Sequence, residues 1–499
     1  MNIPLLLEMV AEGAPDRVVV GPRAGGLTAH QLLDHSRAAA ALFTNAGVER
    51  VGLVDVNSEA VPIALFGAGA AGLPFAPVNY RLTDEQLDAI LRRLAPALVI
   101  VGDDVRPRIG DIEGLQVLTR QEFLDATSTP ADTAALPPFI DPEDIAVLLF
   151  TSGTTGEPKA AVLRHRHLAS YIIGTVEFMG AEEDDAQLVS VPPYHVAGLS
   201  AVLSSLYSGR RIVYLPAFDP DEWVRACEEE AVTQAMVVPT MLGRVLECVD
   251  QQGVKLASLR HLSYGGGRMP LELIERAMSK FPDVNFVNAY GLTETSSTIA
   301  VLSPDDHRTA IASDDPAVRR RLTSVGQPLP TLEVEIRDPD GNPLGAGERG
   351  EVYVRGEQVA GEYLGRSVLT DDGWFPTNDA GYLDDDGFLY LDGRMDDVIV
   401  RGAENLSPGE IEDTIASHPA VREAAVIGVP DPEWGEAVAA VVVVEPGAER
   451  PSEDDLKTLV RERLRSTKTP TVIRFRDELP YNETGKLLRR VLREELSGS

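Results

Sequence analysis

Cysteine, lysine and long apolar runs are scarce in this chain, and each scarcity rules something out. Two cysteines, Cys227 and Cys248, occur in 499 residues. Both fall in helix-like stretches, which offer neither a disulfide framework nor metal-ligand spacing, and a reducing cytoplasm fits. No apolar run approaches the ~18 residues of a membrane span, so a soluble protein is expected. The N-terminus, MNIPLLLEMVAEGAPD, lacks a basic leader and turns acidic at once, against a signal peptide. Positive charge is also short: 45 Lys+Arg face 78 Asp+Glu, a formal charge of −33. Nucleic-acid backbones and anionic membranes need clustered basic side chains, so neither is an expected partner. Six lysines stand among those 45 cations, which gives each lysine's position weight. What the chain does have is apolar content, 44% of its residues, enough at this length for more than one domain.

Short β-branched apolar runs alternate with helical periodicity through the first three hundred residues. Val51–Val56 reads as a strand and an Ala-rich helix follows, ending near Gly72. Thr83 and Gln86 form a capping box that opens a helix to about Leu94, before a strand at Leu98–Val101. Strands at Ile145–Phe150, Gln187–Val191 and Arg211–Leu215 alternate with helices around His167–Met179 and Ala197–Tyr207. Such alternation predicts parallel sheets covered by helices, with ligands beyond the carboxyl ends of the strands. From about Ser324 the texture changes to strands around the tight turn Asp338–Asn342, a small antiparallel, β-barrel-like unit over about 324–393. A second change follows Gly393-Arg394, where a small α+β domain begins. The expected fold is an α/β large domain, residues 1–395, with two helix-covered, mostly parallel sheets plus the barrel-like unit. A small mobile α+β domain, 396–499, follows it.

Thr151-Ser-Gly-Thr-Thr-Gly-Glu-Pro-Lys159 comes directly after a strand. Glycines Gly153 and Gly156 let backbone N–H groups approach a polyphosphate. Ser152, Thr154 and Thr155 add donors, and Lys159 adds charge. A flexible turn would explain the composition but not its place after a buried strand. The order is not that of the P-loop, because the lysine follows Glu157-Pro158. This string resembles the phosphate loop of the acyl-adenylate-forming superfamily, which includes acyl- and aryl-CoA synthetases, luciferases and peptide-synthetase adenylation domains. The resemblance runs through at least five motifs in order over essentially the whole chain. It departs at Ala160, where a glycine is usual, and a slightly stiffer loop is expected there.

The resemblance implies roles for the other motifs. In Asn288-Ala-Tyr-Gly-Leu-Thr-Glu294, beyond a strand at Val284–Val287, Asn288, Tyr290, Gly291 and Thr293 would bind nucleotide. Tyr290 offers a face for adenine, and Thr293 a hydroxyl for the α-phosphate; alone, the string's Tyr could be a core aromatic, but paired with the phosphate loop the motif is strong. Glu294, with Thr151, is implied as the Mg²⁺-side ligand of ATP. Gly265, Gly266 and Gly267 follow the strand Leu259–Ser263 and leave room for a flat ligand, or simply make a strand-to-helix turn. Asp379 resembles the ribose-binding aspartate and Arg394 its partner. Asn378 stands where glycine is usual, and a positive φ there would suit Asn.

Lys486, in Thr484-Gly485-Lys486, matches the family's catalytic lysine. A cation there offsets repulsion as a carboxylate attacks the α-phosphate. Asp396 is the implied hinge, and Arg401, Gly402 and Ala403 the thiol channel. His195, in Val191-Pro-Pro-Tyr-His195, resembles the gate to the acyl pocket. It need not be a base, since the acid is already ionised. Val196, Ala197, Gly198 and Leu292, with Gly266 and Gly267, suggest an apolar acid, a fatty acid ahead of an aromatic one. The implied activity is adenylation of a carboxylic acid with ATP and Mg²⁺, then transfer to coenzyme A. Loading a separate carrier protein is the alternative acceptor. A nucleotide-binding regulator would have lost Lys486, Glu294 or Asp379, and nothing asks for a luciferase-like oxygenase. The partners are small molecules, and a homodimer is compatible with the reading.

Overall fold

The computed structural model describes residues 1–151, 159–401, 404–432, 434–481 and 487–497. Two large sheets form its body. In the first, six parallel strands run in the order Asn285–Leu292, His261–Gly265, Gln234–Val237, Ala186–Val189, Arg211–Tyr214 and Val18–Val20, with antiparallel strands at both edges. In the second, Ile145–Thr151, Phe75–Pro77, Arg50–Val54, Ala97–Val101 and Leu115–Thr119 are parallel neighbours. Lys159–Arg164 returns antiparallel beside Ile145–Thr151, and Glu362–Tyr363 adds to its far side. The helix Ala60–Ala70 is buried all round, as an Ala-rich, charge-free segment must be. Gly67 lets it approach its neighbour: a Cβ there would stand 2.6 Å from Ala39 Cβ. The Thr83–Gln86 capping box closes reciprocally and opens the helix Asp84–Leu94.

The barrel-like unit is a four-stranded antiparallel sheet: Glu333–Arg337, Gly350–Arg355, Phe375–Leu383 and Leu389–Arg394. The smaller C-terminal domain holds a five-stranded sheet centred on Gly435–Val444, with helices Pro408–Ala416, Glu453–Arg463 and Arg489–Ser497. It meets the large domain through an Arg268–Asp413 ion pair and a hydrogen bond from Ser407 Oγ to the Asp392 carbonyl, 3.0 Å. Both cysteines are buried and carry no disulfide. No described helix is long and apolar enough to cross a membrane.

Two local expectations change. The strand expected to stop at Val287 runs to Leu292, because Ser297–Leu302 returns beside it and supplies hydrogen-bond partners. Ala160 lies in the strand Lys159–Arg164, opposite Phe150, so its stiffness acts on that strand and not on the loop.

Candidate active site

A cavity of about 830 Å³ opens where the second sheet meets the four-stranded sheet. Lys159, Leu292, Glu294, Tyr363, Asn378 and Arg394 line it. Lys159 begins the strand that leaves the phosphate-loop string, opposite Thr151. Glu294 is delivered by a bulge: the register of Asn285–Leu292 against Ser297–Leu302 shifts between Tyr290 and Gly291, and the turn Thr293–Thr295 follows. Bulges of this kind re-aim side chains. Gly291 is obligatory, since a Cβ would lie 1.7 Å from the Ser297 carbonyl oxygen. The bulge also re-phases the alternation, so Leu292, expected in the acyl pocket, lines the polar cavity beside Glu294. Tyr363 Oη donates to Glu294 Oε1 at 2.5 Å, and burial with the Glu294 charge pushes the phenol's pKa up. It is therefore a donor at neutral pH.

Asp379 and Arg394 face each other across antiparallel strands, and Arg394 donates to Asp379 Oδ1 at 3.0 Å. Tyr290 Oη donates to Oδ2 at 2.5 Å, with its own pKa raised by burial and by that carboxylate. The Tyr290 ring belongs to an apolar cluster with Ile299, Leu332 and Ile336, while its hydroxyl meets the aspartate. Asn378 has φ +60°, the left-handed conformation expected of it. Its Nδ2 donates to Asp396 Oδ2 at 2.9 Å, which ties the ribose-type aspartate's strand to the Met395–Asp397 turn.

Asn288 stands earlier in the strand Asn285–Leu292. It is buried and its Nδ2 donates to the Ser324 carbonyl at 3.1 Å, so the amide fastens its strand to the 320s segment. At Gly265 a Cβ would stand 2.3 Å from the Ala289 carbonyl oxygen, so the glycine lets neighbouring strands approach. Gly266 has φ +74°, and Gly266 and Gly267 are exposed. Thr293 is half-buried in the same turn as Glu294.

His195 precedes the helix Val196–Ser208, and its ring lies 4.6 Å from that of Tyr194, which meets Tyr80 edge-on at 5.7 Å. Its buried Nε2 has no hydrogen-bond partner among the described residues. Burial lowers its pKa to about 4, so the ring is neutral at pH 7. Val196 and Ala197 are half-buried in the first helical turn. Gly198 is required there because a Cβ would meet the Pro192 carbonyl oxygen at 2.5 Å. Arg401 Nη1 donates to the Thr467 carbonyl at 2.5 Å, and its guanidinium carbon lies 5.7 Å from the centroid of the Trp434 ring. Ser152, Gly153, Thr154, Thr155, Gly156, Gly402, Ala403 and Lys486 lie outside the described residues, as does the Thr151 side chain.

The model of the AMP-binding enzyme family matches residues 7–364, and that of the AMP-binding enzyme C-terminal domain matches residues 410–486. The chain belongs to the AMP-binding enzyme family. Its class is therefore the one the motifs imply, an AMP-forming acyl-CoA ligase. A feruloyl-CoA synthase of Amycolatopsis sp is 34% identical over 448 residues, covering 88% of this chain and 87% of that protein. A 2-succinylbenzoate–CoA ligase of Bacillus licheniformis is 33% identical over 504 residues, covering 99% and 100%. Among solved structures, the o-succinylbenzoate CoA synthetase of Bacillus subtilis with its acyl-adenylate intermediate superposes at TM-score 0.83. It is 27% identical, covering 98% of this chain and 97% of that one. Reading the sequence of this AMP-binding enzyme misses Tyr363, because nothing within Gly361-Glu-Tyr-Leu364 announces a partner at Glu294.

Proposed function

We propose that this ligase adenylates a hydrophobic, ring-bearing carboxylic acid and passes the acyl group to coenzyme A. The observation that carries the reading is the convergence of Lys159, Glu294 and the Tyr290–Asp379–Arg394 network on one cleft. A carboxylate oriented from both sides suits the two hydroxyls of a ribose. Glu294, with Oε1 occupied and Oε2 without a partner among the described residues, fits a Mg²⁺ that keeps most of its coordination for phosphate and water. When bound, Mg²⁺ would shield polyphosphate charge, held by Glu294 and Thr151.

The acid's carboxylate oxygen attacks the α-phosphorus, a new O–P bond forms, and pyrophosphate leaves with the electrons of the broken one. Lys486 bridges the two anions. The residues 396–499 then turn about Asp396, the CoA thiolate attacks the acyl carbon, and AMP departs. His195 works as a neutral gate. The feruloyl and succinylbenzoate relatives favour a ring-bearing acid over a fatty acid, and the apolar Val196–Gly198 segment accommodates either. The test is ATP–pyrophosphate exchange with hydroxycinnamic, benzoic and fatty acids, then thioester formation with CoA or a carrier protein. Ring-bearing acids should exchange best. Exchange only with alkyl acids would overturn the substrate class, and no exchange with any acid would overturn the reaction.

A further inference from the structure

Glu294 is clamped through its backbone and its side chain by one short segment. Its carbonyl accepts from Ala360 N at 2.8 Å and Gly361 N at 3.1 Å, and its Oε1 accepts from Tyr363 Oη at 2.5 Å. Tyr363 is in turn fixed to the strand that leaves the phosphate-loop string. It pairs with Ala161, and Leu364 N donates to the Ala160 carbonyl at 2.9 Å. The Lys159 ammonium stands 5.8 Å from the centroid of the Tyr363 ring, within range of a cation–π contact. One phenol therefore lies against both Glu294 and Lys159, two of the charged groups that line the cavity.

We propose that Tyr363 is a positioning residue for the metal–phosphate end of the site: its hydroxyl holds one oxygen of Glu294 so that the other alone meets the metal, while its ring supports Lys159. This rests on the reading of Glu294 as the metal-side carboxylate. A glutamate on a free side chain loses rotamer entropy when it binds and can swing to grip an ion with both oxygens. A glutamate pinned at Oε1 has been ordered in advance and offers one ligand atom, which matches the octahedral, water-rich habit of Mg²⁺. Tyr363 touches neither nucleotide nor acid in this scheme and acts through Glu294 and Lys159.

The test compares Tyr363→Phe, which deletes only the hydroxyl, with Tyr363→Leu, which also deletes the ring, and Tyr363→Gln, which keeps a donor. Titrations of the full chain with Mn²⁺ and ATP, and separately with AMP in chelator, are read beside thermal melting. Tyr363→Phe should weaken Mn²⁺·ATP binding on the order of ten-fold, the scale of one hydrogen bond to a charged group, and leave metal-free AMP binding unchanged. Tyr363→Leu should lose more than Tyr363→Phe, and Tyr363→Gln should lose less than Tyr363→Leu. Equal weakening of AMP and Mn²⁺·ATP, or a lowered melting temperature with intact Mn²⁺·ATP binding, would overturn the positioning role. Glu294→Gln separates the two layers. If it leaves metal-dependent affinity intact, the reading of Glu294 falls and the proposal with it. If it removes that affinity while Tyr363→Phe and Tyr363→Leu change nothing, only the proposal falls.

Discussion

At the phosphate end of the cleft, Glu294 accepts from Tyr363, and Asp379 accepts from both Tyr290 and Arg394. His195, by contrast, keeps a buried nitrogen without a partner among the described residues, and burial drives its pKa down to about 4. The difference follows the charge. Negative charge accumulates around the α-phosphate during adenylation, and prearranged dipoles and cations there cost no reorganisation in the transition state. Under the gate role proposed for His195, the acid brings its own charge to that point, and the neutral ring supplies shape alone.

Five measurements can break or sharpen this contrast. The largest effect is expected from Lys486→Ala, which should slow adenylate formation by about 10²–10³-fold, as loss of one preorganised charge-stabilising group does. Thioester formation from preformed acyl-adenylate should survive, and equal loss in both half-reactions would remove the lysine's assignment. Next, Tyr290→Phe frees Asp379 on one side and should raise the KM for ATP about ten-fold, with the KM for the acid unchanged. A matching rise in both would mean that the network holds the fold and not the nucleotide. His195→Ala should do the reverse, raising the KM for the acid by about the worth of one hydrogen bond, up to ten-fold, with the KM for ATP intact. The wild-type rate should also show no inflection from this ring between pH 6 and 8, because its pKa lies near 4.

The smallest effect concerns stability. Burial lowers His165, His195 and His307 to about 4 and His167 to about 3, from an ordinary 6.5. Between those values and 6.5 the unfolded chain binds protons that the folded chain refuses, so these rings cost stability as pH falls through that window. The melting temperature should drop from pH 7 to pH 5. In His307→Gln, where an amide can still meet Tyr264 Oη and the Ser303 carbonyl, the drop should be shallower. An unchanged slope would show that other groups dominate.

Much of the scaffold was legible in the order of residues. The alternation of apolar runs with helical periodicity, the Thr83–Gln86 capping box and the positive φ of Asn378 are local, set by side-chain shape and hydrogen-bonding reach within a few residues. The charged members of the site were legible for the same reason, since Lys159, Glu294, Asp379 and Arg394 sit in short strings with recognisable chemistry. Their neighbours were not. Tyr363 is 69 residues from Glu294, Tyr290 is 89 from Asp379, and Asn288 is 36 from Ser324, so no window of sequence holds both members. Gly265 read as space for a ligand, and the structure shows a carbonyl oxygen of Ala289 in the place of its missing side chain.

By itself, then, the amino-acid order determined which elements form and which titratable groups stand at their ends, because propensity, capping and periodicity act over one or two turns of chain. Tertiary structure alone decided which oxygen of Glu294 is held, what braces Asp379, and that the Asn288 amide reaches the Ser324 carbonyl. Those outcomes depend on strand pairing, a bulge and burial, and they arise only when distant segments share one sheet edge.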